Sequence, residues 1–302
     1  MNILVTGGTT FVSKAIAEYF SKDNKVYVLN RNTKKQLNNV TLIEVDRNNL
    51  GDKLKGYSFD IVIDVTSYNK NDVENLVNAL NNINEYIFIS SSAIYPEDLP
   101  QPFKEDYNGG YNSIWKDYGI NKLEAEEYLK ENVKQAYIIR PPYLYGPYNN
   151  IYREAFVFDC AMNDRTFYIP KDGNMKLQFF YIYDLCRFIE KLIELKPKDK
   201  VYNVGNEEII SINDWVKLCY KVVKKELNIV NVDKEYNQRD YFPFYDYEYE
   251  LDVTKQKNVL SMTTNLYEGL KETYNWYKDN QDQVKKKNYI EFIDENLRWF
   301  IW

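Results

Sequence analysis

The sequence predicts an α/β protein built on a doubly wound parallel sheet with a second, smaller α/β portion towards the C-terminus. Three observations carry that reading. Short apolar runs alternate with helical patterns along the chain, the order expected of a parallel sheet covered by helices on both faces. The first thirty residues form a strand–turn–helix–strand unit whose turn carries Gly7 and Gly8. At 302 residues the chain can bury one large core and has room for an additional smaller unit.

Taken in order, Asn2–Thr6 is a short apolar strand that runs straight into the turn Gly7-Gly8-Thr9-Thr10-Phe11. The pattern of Val12–Lys22 is helical, and Lys25–Asn30 is a second strand. Further apolar runs predict strands at Thr41–Val45, Ile61–Asp64, Tyr86–Ser90 and Ala136–Arg140, with later ones near Gln178–Ile182 and Val201–Val204. Helical spacing predicts helices near Asn71–Leu80, Tyr118–Glu131, Arg153–Met162, Asp184–Leu195 and Ile212–Lys225. The segment Asp240–Glu250 is dense in aromatics and acids without a clear period, and reads as a packed loop or edge strand rather than a substrate-contacting loop. Lys285-Lys286-Lys287 reads as a solvated linker before a last helix at Tyr289–Phe300.

Composition excludes several function classes. The net charge is −6 and the isoelectric point about 5.1, so no global basic field draws in nucleic acid or a membrane surface. No run of 18 apolar residues and no basic segment followed by an apolar one is present in the sequence. The three cysteines, Cys160, Cys186 and Cys219, are odd in number and show no metal-ligand spacing. They read as free thiols of a reducing cytoplasm, with Cys186 and Cys219 inside apolar helical patterns. The 29 tyrosines, beside abundant Lys, Asn and Ile, reflect A/T-rich coding more than 29 stacking platforms. There is no histidine, which removes most Ser-His-Asp, Cys-His and His-metal mechanisms.

Proton-transfer chemistry without histidine is available in Tyr118-Gly-Ile-Asn-Lys122. A phenol and an ammonium four residues apart share one helix face. A tyrosine ordinarily titrates near pH 10, too high for a base at neutral pH, and a neighbouring ammonium favours the phenolate and lowers that value. Ser91, at the end of an apolar strand, supplies a hydroxyl able to share the same substrate oxygen, with Ser92 next to it as the fallback. The turn after the first strand offers backbone N–H groups and a helix N-terminus to a pyrophosphate, as dinucleotide binding requires.

These segments resemble the extended short-chain dehydrogenase/reductase family, of the NAD-dependent epimerase/dehydratase type acting on nucleotide-sugars. The Thr-Gly-x-x-Gly-x-x-Gly opening corresponds to Thr6-Gly7-Gly8-Thr9-Thr10-Phe11-Val12-Ser13, and the Ser-x-x-Val-Tyr strand end to Ser91–Tyr95. Tyr-x-x-x-Lys falls on Tyr118 and Lys122, and Arg-Pro-x-x-x-Tyr-Gly-Pro on Arg140–Pro147. Phe180–Asp184, Tyr202–Gly205, Leu251–Lys255 and Leu266–Trp276 resemble later landmarks, so the likeness spans nearly the whole chain. It implies a Rossmann domain over residues 1–145, with about 174–206 returning to it, and a substrate domain from 146–173 and 207–302. It further implies that Tyr118 is the acid/base, that Lys122 also holds the nicotinamide ribose, and that Ser91 orients the reacting oxygen. The cofactor would lie on Thr6, Gly7, Gly8, Thr9, Thr10, Phe11, Val12, Asn30, Arg31, Asp46, Tyr118, Lys122 and Pro141, with Asp46 at the adenine.

Departures from the pattern sharpen the expectation. Thr10 and Ser13 replace the second and third glycines; Ser13 is small, whereas a β-branched Thr10 resists positive φ and would push the phosphates outward or offer them its hydroxyl. Asn30-Arg31 stands where an acid would read a free ribose 2′-OH, so NADP is expected over NAD. Ser92-Ala93 replaces the Asp-Glu pair of the 4,6-dehydratases, which leaves epimerisation of a nucleotide-sugar, or reduction of a small carbonyl compound. The altered glycines and Tyr143, where sugar-nucleotide enzymes more often have Asn, resemble the chloroplast stem-loop-binding branch and keep a non-catalytic or RNA-binding reading open. The expected partner is a small-molecule substrate, with nucleic acid disfavoured by the acidic charge, no membrane, and a homodimer left open.

Overall fold

The computed structural model describes residues 1–233 and 236–298. In chain order its strands are β1 (Asn2–Thr6), β2 (Lys25–Asn30), β3 (Val40–Glu44), β4 (Ile61–Asp64), β5 (Glu85–Ile89), β6 (Ala136–Arg140), β7 (Tyr143–Tyr145), β8 (Phe167–Pro170), β9 (Lys176–Leu177), β10 (Phe179–Tyr181), β11 (Val201–Asn203), β12 (Ile210–Ser211) and β13 (Ile229–Val232). The helices are α1 (Phe11–Phe20), α2 (Lys70–Ala79), α3 (Asp117–Asn132), α4 (Glu154–Met162), α5 (Ile182–Leu195), α6 (Ile212–Val223), α7 (Gln238–Tyr241), α8 (Thr254–Lys257), α9 (Leu266–Asp279) and α10 (Tyr289–Asn296).

Seven strands form one parallel sheet in the order β11-β6-β5-β4-β1-β2-β3. Every residue of β5 and β6 is buried, as expected of strands covered on both faces. Alternation divides the core. Ile3 and Val5 belong to the cluster under α1 and α5, whereas Leu4 belongs to the one under α2 and α3. The chain winds outward from β1 in both directions, so the crevice at the carboxyl ends of β1 and β4 is the switch point where such sheets take ligands. Helices α4, α6 and α9 pack on one another and continue the larger core beyond the sheet.

Most expected elements form within two or three residues of their predicted ends, and three differ in substance. The strand near Gln178–Ile182 forms as Phe179–Tyr181 but pairs with β7 outside the central sheet, whose edge is taken by β11. The Asp240–Glu250 segment is neither an edge strand nor merely packed. After the single turn of α7 its side chains part, Phe242 and Phe244 entering the core while Pro243, Tyr245 and Tyr249 face a cleft. Lys285–Lys287 is solvated, as expected, but also tied down: the Lys285 N–H donates to the Asn150 carbonyl at 3.0 Å, and Lys286 pairs with Asp159 at 2.8 Å. The last helix ends at Asn296, and the Phe300 end of the expected span lies outside the described residues. The three cysteines are buried free thiols, and among the described residues no helix is long and apolar enough to cross a membrane.

Candidate active site

The turn after β1 is built by its glycines. Gly7 and Gly8 take φ of +92° and +93°, a region that favours glycine. A Cβ on Gly8 would stand 2.5 Å from Val28, and one on Gly7 2.7 Å from the Ser13 hydroxyl, so Ser13 fills the space a third glycine would leave. Thr10 does not carry the strain expected of it: it is extended at φ −144°, and the positive φ falls on Phe11 at +36°. Its hydroxyl accepts a hydrogen bond from Lys34 Nζ at 2.9 Å. It makes no cap to α1, which leaves the first-turn N–H groups of that helix to a ligand.

From this turn a cleft of about 570 Å³ runs across the switch point. Thr10, Phe11, Val12, Pro141, Ser91, Tyr118 and Lys122 all line it. Thr9 lines an adjoining hollow on the outer side of the turn. Other expected cofactor residues stand apart from the cleft. Thr6 is fully buried and its hydroxyl donates to Asp64 at 2.8 Å, tying β1 to β4. Asn30 donates to the Gly7 carbonyl at 2.7 Å and braces the turn. Arg31 is exposed and 4.0 Å from Asp46, which also accepts from the Asn48 N–H at 2.9 Å.

Ser91, Tyr118 and Lys122 converge as the sequence implies. Ser91 follows β5, and its Oγ accepts from the Ala93 N–H at 3.2 Å, which orients it. The neighbouring Ser92 hydroxyl is committed to the Tyr249 hydroxyl at 3.1 Å, whereas that of Ser91 faces Tyr118. Tyr118 and Lys122 sit on the first turns of α3. The chain enters that helix through Lys116, at φ +48°, and is held there by buried Asn112, whose Oδ1 accepts from Ile114 and Trp115 at 2.9 and 3.2 Å. Gly119 lets α3 close on the turn after Ser91, since a Cβ there would lie 2.2 Å from the Ala93 carbonyl oxygen.

The electrostatics depart from expectation at one point. Lys122 does not lower the Tyr118 pKa; that value stands above its ordinary one because the hydroxyl is desolvated, with the facing Ser91 hydroxyl pulling the other way. The residue as a whole is 40% exposed at the mouth of the cleft. The reason lies in what Lys122 bonds. Its Nζ donates to the Ser67 and Ile89 carbonyls at 2.7 and 2.8 Å, leaving one of three donors uncommitted. Burial brings the lysine down to about 8. Thr6, Asp64, Ser67 and Lys122 thus form one chain of bonds, with Arg47 donating to the Ser67 hydroxyl at 2.6 Å.

Residues that sequence reasoning missed form the far wall of the cleft: Trp115, Arg153, Arg239, Tyr245 and Tyr249, beside Tyr143. The aromatic density of residues 240–250 was their signal. Arg153, at the start of a predicted helix, and Arg239 had none, being single cations outside any motif.

A doubly wound parallel sheet with a glycine turn at its switch point defines a Rossmann protein. The chain belongs to the NAD dependent epimerase/dehydratase family, whose family model matches residues 3–205, and is thus an extended short-chain dehydrogenase/reductase. Among its relatives, chloroplast stem-loop binding protein of 41 kDa b of Arabidopsis thaliana is 26% identical over 299 residues, covering 90% of this chain and 78% of that protein. Among solved structures, UDP-N-acetylglucosamine 4-epimerase of Methanobrevibacter ruminantium M1 superposes with a TM-score of 0.76 at 22% identity, over 92% of this chain and 98% of that one. The dTDP-glucose 4,6-dehydratase of Bacillus anthracis str. Ames gives 0.74 at 19% identity, over 94% and 98%. At these identities the structural likeness is one of fold.

Proposed function

We propose that the protein is an NAD(P)-dependent epimerase-type oxidoreductase acting on a secondary alcohol of a nucleotide-linked sugar, with NADP as the preferred dinucleotide. The observation that carries this reading is the meeting of Ser91, Tyr118 and Lys122 in the cleft that begins on the glycine turn. The turn fits a dinucleotide: two glycines admit close backbone approach and the start of α1 is left uncapped. Thr10, Phe11 and Val12 would hold the pyrophosphate, Arg31 a 2′-phosphate, and Lys122 the ribose with its remaining N–H. The bound dinucleotide supplies acceptance and return of a hydride.

The chain's own residues handle the proton and the orientation. Tyr118 takes the alcohol proton as the carbon is oxidised and returns it on reduction, while Ser91 donates to the same oxygen. The desolvated Tyr118 hydroxyl is held protonated, which suits the acid half of the cycle. The positive charge of an oxidised nicotinamide ring would favour the phenolate and lower it in the base half. Trp115, Tyr245 and Tyr249 line the same cleft and would border the bound sugar.

The test is incubation with UDP-, GDP- and dTDP-sugars, following product sugars by chromatography and the reduced cofactor by absorbance. Epimerised sugar without net cofactor change supports the reading. Stoichiometric NADPH loss with keto compounds would make the protein a reductase. NADP binding with no turnover across the panel would turn the reading to a binding protein.

A further inference from the structure

We propose that Arg47 is a positioning residue for Lys122: its guanidinium fixes the loop of residues 66–68, and that loop sets where the Lys122 ammonium stands in the cleft. The proposal rests on reading Lys122 as the cofactor-facing lysine of an alcohol–ketone site, and it names a residue outside the cleft on which that lysine depends.

Local structure delivers Arg47 to that loop. After β3, Asp46 caps the single 3-10 turn Arg47–Asn49 by accepting from the Asn48 N–H at 2.9 Å. The Arg47 side chain is mostly buried and reaches the residues that follow β4. Its Nη1 donates to the Thr66 hydroxyl at 2.7 Å and its Nη2 to the Ser67 hydroxyl at 2.6 Å. Its Nε lies 3.6 Å from Asp72, in the first turn of α2. Asp72 in turn accepts from the Tyr68 N–H at 2.8 Å. One ion pair therefore holds three consecutive residues. Asp64 grips Ser67 from the β4 side, but the side chain of Thr66 and the backbone of Tyr68 depend on Arg47 and Asp72. A planar fork with several donors fixes direction as well as distance, which an ammonium does not.

The same loop is the seat of the lysine. The Ser67 carbonyl accepts from Lys122 Nζ at 2.7 Å. The Tyr68 ring centre is 5.3 Å from that Nζ and 6.5 Å from the ring of Tyr118. Thr66, Tyr68, Tyr118 and Lys122 line the cleft, and Arg47 is not among the described residues that do. It therefore acts through the loop. Charge gives it a second influence. Lys122 faces Asp64 from β4, Asp72 from α2 and Glu126 on its own helix, with Arg47 as the opposing cation and the rings of Tyr68 and Phe88 beside it. Removing Arg47 would leave those acids unopposed and favour the charged amine.

Two measurements on the full chain test this. Carbon-13 NMR of lysine-labelled protein follows the Lys122 Cε through pH, its signal assigned by the loss seen in Lys122→Met. The wild-type midpoint is expected at about 8, and Arg47→Gln should raise it by about one unit, with a smaller rise in Arg47→Lys, which keeps the charge. Fluorescence titration reads position. Arg47→Gln should weaken NADPH and NADH alike by about fivefold, the worth of one hydrogen bond, whereas a residue reading the 2′-phosphate would affect NADPH alone. In a Lys122→Met background the same substitution should cost nothing further, because its effect passes through the lysine. Equal losses in the two backgrounds would overturn the proposal by making Arg47 merely structural. An Arg47→Gln protein with either the midpoint or the affinity unchanged would also overturn it. If thermal unfolding shows that Arg47→Gln does not fold, Arg47→Lys decides the same question in the two backgrounds, since it loses the fork. None of these measurements needs turnover. A wild type that binds neither dinucleotide would overturn the alcohol–ketone reading, while the lysine midpoint would still judge Arg47.

Discussion

A methyl group on Gly119 would stand 2.2 Å from the carbonyl oxygen of Ala93 and 3.1 Å from its carbonyl carbon. The obstacle is backbone, so the added carbon can be accommodated only by moving α3 away from the turn after β5. Tyr118 rides on that helix and Ser91 on that turn. Gly119→Ala should therefore lower kcat by about a hundredfold, the cost of displacing a reacting group by roughly 1 Å. Helix propensity alone would favour alanine by about 1 kcal/mol, so a lower melting temperature identifies the clash as dominant. Steady-state kinetics and thermal unfolding of the variant check both. A stable, active Gly119→Ala protein would show that α3 has slack.

Tyr118→Phe removes only a hydroxyl. It should lower turnover by about 10²–10⁴-fold, the range of one general acid–base group, with dinucleotide affinity nearly unchanged. Lys122→Ala should weaken both, because its ammonium anchors the Ser67 and Ile89 carbonyls as well as offering a donor to the cleft. Ser92→Ala should leave turnover within a few-fold, since that hydroxyl is spent on Tyr249. Single-turnover kinetics with separate fluorescence titrations of NADPH resolve the three. Most of the activity surviving in Tyr118→Phe would exclude the proposed proton transfer.

The fold was legible because local signals agreed with one another. Apolar runs of four to six residues can be buried on both faces, and Gly7 and Gly8 sit where only glycine is comfortable. The same landmarks also carried meanings the sequence did not separate. Arg140 and Tyr95 are structural: the Arg140 guanidinium bonds Glu126 at 2.6 Å and the Tyr95 hydroxyl at 2.8 Å, clamping β6 to α3. Burial opposes the charge on Glu126, but Arg140 and Ser90 overcome it and hold the carboxyl below its ordinary range. Thr6 and Asn30 brace the turn through bonds to Asp64 and the Gly7 carbonyl. Arg153 and Arg239 were invisible because nothing in a one-dimensional pattern distinguishes a cation that folds inward from one that stays in water.

Cofactor preference turns on a loose pair. Arg31 is exposed and 4.0 Å from Asp46, a separation at which an exposed pair contributes little. It is therefore available to a 2′-phosphate, and no acid at position 30 repels that group. NADP should bind more tightly than NAD, and Arg31→Ala should cost NADP about tenfold while leaving NAD unchanged. Asp46→Asn should move the ratio the other way by releasing Arg31. Parallel fluorescence titrations of both dinucleotides decide it, and equal affinities in the wild type would show Arg31 pointing to water.

Lys122 makes stability depend on pH in a direction that can be worked out. Desolvation is the largest influence on it and brings it from its ordinary value of 10.5 to about 8, against the pull of Asp64 and Glu126. Between those two values the unfolded chain holds the proton and the folded protein has released it, so the unfolded state binds more protons and stability rises with pH. Below about 8 the lysine is charged in both states, and its contribution is flat at the unfavourable level. The buried cysteines Cys160, Cys186 and Cys219 act the opposite way, since burial raises each thiol and the unfolded chain ionises first. They are present equally in a Lys122→Met protein, so the informative quantity is the difference between wild type and variant. That difference should be constant from pH 6 to about 8 and then shift in favour of the wild type by on the order of 3 kcal/mol as pH approaches 10.5. Urea unfolding of both proteins at successive pH values measures it. A difference that stays level through that window would mean the ammonium keeps its ordinary pKa, held there by the Ser67 and Ile89 carbonyls and the acids around Asp64.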